Sequence, residues 1–315
     1  MVVGPTASGK TALLAELFGS PSARDAFGLP ETEVISADSM QAYRGMDIGT
    51  AKPDITFRSL LPHRLLDIRG IDEQYSVGDF VRLADEACAE IIAAGKLPVV
   101  SGGTGFYARN FICGLPSAPA AGPLARSEVA RDLAEKGPFV LRSELAAVDP
   151  ESAARIHAND LYRLTRALEI TRLTGRPMAD FAASSSPRSR YRFATIGVMR
   201  PREELLARIG ARVDAMMAAG LADEVAALRA AGAQADDPGM AAIGYREFFD
   251  PRFGIDPSGA ELKEIADAIK LDTRQYAKRQ MTFFRRLPGI EWIDPDPKAL
   301  ASRLRAIVQE PCAGL

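Results

Sequence analysis

Gly4-Pro5-Thr6-Ala7-Ser8-Gly9-Lys10-Thr11 stands near the start of the chain and fits Gly-x-x-x-x-Gly-Lys-Thr, the spacing of a phosphate-cradling loop. Glycines let successive backbone N–H groups turn inward as an anion nest. A helix following the loop adds the positive end of its dipole. Lys10 supplies a mobile positive charge, and Thr11 a hydroxyl suited to Mg²⁺. The flanks agree with this reading. Met1-Val2-Val3 is apolar, as a strand end should be, and Ala12, Leu13, Leu14 and Leu17 recur at helical spacing before Gly19. The stretch predicts a strand–loop–helix unit that binds a di- or triphosphate, and leaves open which one. Such a strand has about five or six residues, and the chain provides fewer before Gly4, so we expect the native chain to begin further upstream.

Two similar units follow. Glu33-Val34-Ile35-Ser36 reads as a short buried strand leading into Ala37-Asp38-Ser39-Met40-Gln41, and Ile48-Gly49-Thr50-Ala51-Lys52-Pro53 as a turn-rich loop. Phe80, Leu83, Ala84, Ala87 and Ile91 mark a helix ended by Gly95. Leu97 to Val100 is the next strand, running into Gly102-Gly103-Thr104-Gly105. Repeated strand–helix units imply an α/β fold with a parallel sheet core of the P-loop kind, and ligands of such sheets collect at the carboxyl ends of the strands.

After Gly114 the composition shifts. Pro116, Pro119 and Pro123 stand in a linker-like passage, and helical patterns follow. The clearest runs from Leu161 to Leu173, with Asn159 or Asp160 as N-cap, Gly175 as C-cap and Pro177 beyond. Arg192 to Val198 then alternates like a strand. Residues 115–192 therefore read as a helical insertion, and 1–114 with 193–315 as the α/β core. The insertion carries 12 basic and 9 acidic side chains, against a net charge of −2 for the whole chain. Beyond it, Leu206, Ile209, Val213 and Met217 form a helical stripe, and Leu262, Ile265, Ala266 and Ile269 begin a long helix. Arg274, Lys278 and Arg285 lie on one face of that helix, with Arg279 and Arg286 alongside and Tyr276, Phe283 and Phe284 interleaved. Cationic and aromatic groups together suit phosphate contact and base stacking.

Composition narrows the function classes. No run approaches the roughly 20 apolar residues of a membrane span, and with no basic n-region or apolar h-region at the start of the sequence a secretory leader is not expected. Cys88, Cys113 and Cys312 are scattered, and the only histidines are His63 and His157. Structural zinc has little support, and a reducing cytoplasm is expected. With a net charge of −2, a nucleic-acid partner has to be met by a local basic face. We expect a monomer.

Several residues could carry chemistry. Asp38 at a strand end is a Walker-B-like carboxylate for Mg²⁺, a general base, or the cap of an Asx-turn. The strand at 97–100 ends in Ser101-Gly102-Gly103 without a second Asp, so a conventional ATPase lacks a part. Arg212 has Arg208, Ile209, Ala215 and Met216 one turn away and no acidic partner, whereas Glu204 can pair with Arg208. A partly buried, unpaired guanidinium is costly, so Arg212 is expected to meet an anion from elsewhere. Thr104 either orients a substrate or caps a turn. Arg163 and Arg166 form a basic edge or a solvated helix face.

Together these motifs resemble the tRNA dimethylallyltransferases. The resemblance rests on the phosphate loop, on the block from Ser36-Ala37-Asp38-Ser39-Met40-Gln41 to Ala51-Lys52-Pro53, and on Pro62-His63-Arg64-Leu65-Leu66-Asp67. It continues in Gly102-Gly103-Thr104-Gly105-Phe106-Tyr107, Arg155-Ile156-His157-Ala158-Asn159-Asp160, Arg166-Ala167-Leu168-Glu169, Ile243-Gly244-Tyr245-Arg246 and Lys278-Arg279-Gln280. It implies transfer of a dimethylallyl group from dimethylallyl diphosphate to the exocyclic amine of the adenosine 3′ to the anticodon, in tRNAs reading codons that begin with U. The loop would then hold the donor's diphosphate rather than ATP, through Gly4, Thr6, Ala7, Ser8, Gly9, Lys10 and Thr11, with Arg212 as a further contact. Asp38 matches the family's general base, and Thr11 its Mg²⁺ contact. Asp38, Ser39, Met40, Gln41 and Thr104 match positions near the target base. Arg126, Arg163, Arg166, Gly244, Tyr245, Arg246, Lys278, Arg279 and Arg285 match segments that meet the tRNA anticodon stem-loop. The rival readings are an ATP-dependent small-molecule or nucleoside kinase, and an RNA-binding module without catalysis.

Overall fold

The computed structural model describes residues 1–119, 121–182 and 184–309. The described residues fall into two compact units, Met1–Ile112 with the chain from Pro187 onward, and Cys113–Ser186.

The first unit is built on six strands: β1 Val2–Val3, β2 Thr32–Ser36, β3 His63–Arg64, β4 Leu97–Gly102, β5 Thr195–Val198 and β6 Ile290–Ile293. All pair in parallel, in the order β3-β2-β4-β1-β5-β6. The short β1 lies between β4 and β5, with Val2 opposite Ser101 and Ile196, and both its valines are buried. Side chains of a strand alternate between faces, and here they feed two cores. Val34 and Val99 join Leu13, Leu14, Leu17, Phe18 and Leu300 on one side. Ile35 and Val100 join Phe80, Phe111, Val213, Tyr245 and Ile265 on the other.

The helices of this unit are α1 Lys10–Phe18, α2 Pro21–Phe27, α3 Ile55–Leu60, α4 Val77–Ala93 and α5 Gly105–Cys113. The second unit adds α6 Pro123–Val148, α7 Pro150–Arg155 and α8 Leu161–Thr174. The chain then returns through α9 Arg202–Ala218, α10 Leu221–Ala230, α11 Ala260–Phe284 and α12 Pro297–Gln309. Ser76 and Asp79 form a capping box that starts α4.

The second unit has its own core of Val129, Leu141, Leu145, Leu164, Ala167 and Leu168. Pro123 opens α6 rather than closing a linker, as its fixed φ and missing N–H suit a first helical turn. The same helix breaks at Gly137, which takes φ 77° and ψ 167° ahead of Pro138. Asp160 caps α8 and Gly175 ends it in the left-handed region. Residues 187–192, expected within the insertion, belong to the sheet-bearing unit. Arg188 donates its backbone N–H to Ile112 and pairs with Asp85 through both terminal nitrogens.

One helical face differs from expectation. The buried stripe of α9 is Leu205, Ile209, Val213 and Met216, not Leu206 and Met217. Packing against α11 turns the helix by one position, and Arg212, one turn from Ile209 and Met216, thereby faces inward. Cys88 and Cys113 are buried, and Cys312 lies outside the described residues. No helix among the described residues is long and apolar enough to cross a membrane.

Candidate active site

The carboxyl ends of β1, β2 and β4 bring three loops together. In the first, Ala7 has φ 62° and Gly9 φ 99°, so the chain twice enters the left-handed region before α1 begins. A non-glycine residue held there costs roughly 1–3 kcal/mol, and at Ala7 the cost coincides with a nest of inward backbone N–H groups. Gly4 is required for another reason: a Cβ there would stand 2.4 Å from the carbonyl oxygen of Val198.

Lys10 turns back over this loop, donating to the carbonyls of Gly4 at 2.8 Å and Pro5 at 2.9 Å. Its ammonium is lowered to about 8, chiefly by burial and next by Arg212, with Asp38 opposing. Burial likewise lowers Arg212, again against the pull of Asp38. Arg212 makes no hydrogen bond or ion pair among the described residues. Two desolvated cations thus face one loop without a carboxylate bonded to either. From outside, Arg208 Nε donates to Ala7 O and Arg200 Nε to Ser8 O, both at 2.9 Å. Glu204 pairs with Arg200 rather than Arg208.

Asp38 follows β2. Its Oδ1 accepts from Met40 N at 3.0 Å, an Asx-turn, and its Oδ2 accepts no hydrogen bond among the described residues. The turn and the chemical reading are therefore compatible, since one oxygen holds the loop and the other stays open. Thr104, after β4, accepts from Ser39 N at 3.0 Å, and its backbone N–H donates to Ala37 O. It braces the Asp38 loop. Gly102 permits this approach, since a Cβ there would lie 2.2 Å from Ala37 O. Gln41 is also committed to structure: it accepts from Ser36 Oγ and donates to the carbonyls of Thr50 and Ala51.

Two cavities meet here. The first, of about 540 Å³, is lined by Thr6, Ala7, Gly9, Lys10 and Thr11 of the phosphate loop, with Arg208 and Arg212 of α9. The second, of about 350 Å³, is lined by Met40, Val213, Met216, Ala242, Ile243 and Ile269, with Arg246 and Arg279. Thr6, Asp38, Thr50, Arg212 and Tyr276 line both. A polyanion-binding chamber and a largely apolar one therefore share a wall bearing one carboxylate and one guanidinium.

The remaining sequence candidates divide. Arg246, Lys278, Arg279 and Arg285 are exposed on the first unit, with Arg246 paired to Asp272 and Glu247. Gly244 and Tyr245 do not join them. Both are buried, and the Tyr245 hydroxyl donates to Glu224 at 2.6 Å and accepts from Gly49 N at 3.1 Å. The ring fills the space that a side chain at Gly49 would need, so it is part of the core and out of reach of a macromolecular partner. On the second unit, Arg126 and Arg163 are exposed, Arg163 pairs with Asp160, and Arg166 pairs with Glu169 and donates to Pro119 O.

Sequence reasoning offered Tyr276 only for stacking on the basic face of the last long helix, and gave Gln280 no role at the site. Tyr276 borders both cavities, its hydroxyl pushed up to about 12 by burial. Gln280 joins Thr6 to Gly103. The available signal was their place on the inward face of α11, which helical spacing from Ile269 reveals.

Comparisons with known proteins agree with one another. Residues 41–287 match the model of the IPP transferase family. The chain is 41% identical over 312 residues to tRNA dimethylallyltransferase 2 of Geotalea daltonii, covering 98% of this chain and 90% of that protein. It is 42% identical over 314 residues to tRNA dimethylallyltransferase of Roseiflexus castenholzii, covering 98% and 96%. Among solved structures, the full-length tRNA isopentenylpyrophosphate transferase of Bacillus halodurans matches at a TM-score of 0.65 and 37% identity, covering 98% of this chain and 94% of that one. A eukaryotic dimethylallyltransferase captured acting on tRNA matches at 0.75 and 26%, covering 97% and 76%. With its phosphate loop, its parallel sheet and these relatives, the chain belongs to the IPP transferase family, that of the tRNA dimethylallyltransferases.

Proposed function

We propose that this protein transfers a dimethylallyl group from dimethylallyl diphosphate to the exocyclic amine of the adenosine 3′ to the anticodon, in tRNAs reading codons that begin with U. The observation that carries this reading is the shared wall: Asp38 and the unpartnered Arg212 stand where the phosphate-loop cavity meets the apolar one. A kinase needs its second substrate at a terminal phosphate. Here the shared residues suit a transfer in which the diphosphate departs.

The donor's diphosphate lies in the first cavity, on backbone N–H groups where the loop enters α1, with Lys10 and Arg212 against it. The flipped adenine enters the second, beside Met40, Val213 and Ile243. An adenine amine is a poor nucleophile because its lone pair is delocalised into the ring. As its nitrogen bonds to the allylic carbon, the carbon–oxygen bond to diphosphate breaks. Asp38 Oδ2 takes the amine's proton, a contribution of roughly 10²–10⁴-fold. Charge developing on the departing diphosphate meets Lys10, Arg212 and the loop amides, which are already in place.

Mg²⁺ is the metal the family resemblance implies, and the donor set suits it. Among the described residues no three His, Cys, Asp or Glu side chains converge. Mg²⁺ bound through substrate phosphates needs only one or two protein oxygens besides water, and the Thr11 hydroxyl lines the loop cavity. Bound there, Mg²⁺ would neutralise charge on the diphosphate.

The target base has to leave its stack to reach a recessed cavity. Ser39, Met40, Gln41 and Thr104 frame its entry. Arg246, Lys278, Arg279 and Arg285 on one unit, and Arg126, Arg163 and Arg166 on the other, receive the anticodon stem-loop. The protein works as a cytoplasmic monomer. The test combines labelled dimethylallyl diphosphate with unmodified tRNA, followed by nucleoside analysis. Labelled N6-dimethylallyladenosine is the expected product. ATP-dependent phosphoryl transfer, or tRNA binding without prenyl transfer, would overturn the reading.

A further inference from the structure

Helix α11 has two faces with different work. Arg274, Lys278 and Arg279 are exposed on one. On the other, the buried residues are Ile265, Ala266, Ile269, Ala277, Phe284 and a single polar one, Gln280, which is 4% exposed. A buried primary amide is costly unless both its ends are bonded. Both ends are used here, and on different loops. Gln280 Oε1 accepts from Thr6 N at 2.9 Å, and Nε2 donates to Gly103 O at 2.7 Å.

The two bonds reach the two halves of the site. Thr6 belongs to the phosphate loop and lines both cavities. Gly103 precedes Thr104, whose backbone N–H donates to Ala37 O and whose hydroxyl accepts from Ser39 N, on either side of Asp38. The contact at Gly103 is close: a Cβ there would stand 2.6 Å from Gln280 Nε2 and 3.8 Å from Asp38 Oδ2. Bonds of this kind set the separation between a bound donor and a base, and misplacement by about 1 Å can cost on the order of 10²-fold in rate.

We propose that Gln280 is a positioning residue, the clamp that holds the phosphate loop in register with the loop bearing Asp38. It touches neither reacting atom and acts through Thr6 on the donor and through Gly103 and Thr104 on the base. The inference rests on the proposed donor site, and its effects fall on donor binding and transfer rather than on RNA affinity, since Lys278 and Arg279 are exposed and make no hydrogen bond to Gln280.

Gln280→Met keeps the side chain's length and removes both hydrogen bonds. In the folded full-length variant, kcat falls roughly tenfold or more and donor KM rises. Inorganic diphosphate binding, read by calorimetry, weakens, and tRNA affinity stays within about twofold of wild type. Gly103→Ala attacks the clamp from the other side, displacing the amide, and is expected to shift the same parameters. In the double variant the Gly103→Ala effect largely disappears, because residues acting through one contact are non-additive. Folded Gln280→Met with wild-type kcat, donor KM and diphosphate affinity would overturn the proposal. So would full additivity of the two substitutions. If Gln280→Met does not fold, a Gly103→Ala variant with unchanged kcat and donor KM has the same force. Wild-type protein that binds diphosphate and yields no prenylated nucleoside would sink the proposed function instead, and the clamp is then judged on diphosphate affinity alone.

Discussion

Lys10 and Arg212 are two cations held partly out of water beside the same loop, and burial lowers the proton affinity of both. Lys10 sits at about 8 without an anion, and a diphosphate beside it favours the charged form and raises that value. Between the two values, binding has to draw a proton from solution. At pH 8.5, calorimetry of dimethylallyl diphosphate without tRNA, its diphosphate fully ionised at that pH, in buffers of different ionisation enthalpy is expected to show net proton uptake, with affinity falling as pH climbs past 8. Binding with no uptake at that pH would contradict it. Asp38 supports a sharper substitution. Asparagine at this position retains an oxygen for Met40 N, so Asp38→Asn keeps the turn and loses the base. A fall in kcat of roughly 10²–10⁴-fold is expected, with tRNA affinity within about twofold. Near-normal turnover would remove Asp38 from the base role. Arg212→Ala removes a cation that makes no hydrogen bond or ion pair among the described residues, and should raise donor KM and lower kcat together in steady-state kinetics.

At the level of elements, the loop after Asp38 is held from a distance. The backbone N–H groups of Asp47, Ile48 and Gly49 all donate to the Glu224 carboxylate of α10, at 2.8–3.2 Å, and Tyr245 closes the group. Lys52, its side chain buried, bonds Asp47, Asp67 and Tyr43 O. This fixes Thr50 and Ala51, which line the loop cavity. Gly49→Ala puts a Cβ 2.4 Å from the Tyr245 ring. Overpacking of this kind costs typically 1–3 kcal/mol, to be read from urea unfolding, and a variant of wild-type stability would refute the packing account. The strands 32–36 and 97–102, helix α4 and the caps of α8 were legible because period and capping chemistry are local. That Arg212 has no acidic partner on its own helix was legible too, whereas the lack of one from another element was not. Tyr245 was not: its burial depends on Gly49, 196 positions away, and a Tyr-Arg pair reads equally well as a surface contact. The α9 stripe slipped by one residue because Leu206 and Met217 are as apolar as Leu205 and Met216, and only packing against α11 decides between them.

At the scale of the molecule, composition located the insertion within a few residues at its start and about six at its end, where Arg188 joins the sheet-bearing unit through Asp85 rather than through any sequence signal. The insertion leaves and returns at one point, since Ile112 O accepts from Arg188 N at 2.8 Å. Each unit also buries its own core. A chain in which residues 114–186 are replaced by a short Gly/Ser linker therefore loses no part of either cavity, and the linker has almost no distance to span. It is expected to unfold in one cooperative step and to bind inorganic diphosphate within about threefold of the full chain. Its tRNA affinity should fall, with a shallower dependence on salt, because Arg126, Arg163 and Arg166 no longer displace counterions. Loss of diphosphate binding in a folded chain would place part of the donor site in the insertion. Full tRNA affinity with an unchanged salt slope would confine RNA recognition to the exposed cations of α11 and Arg246.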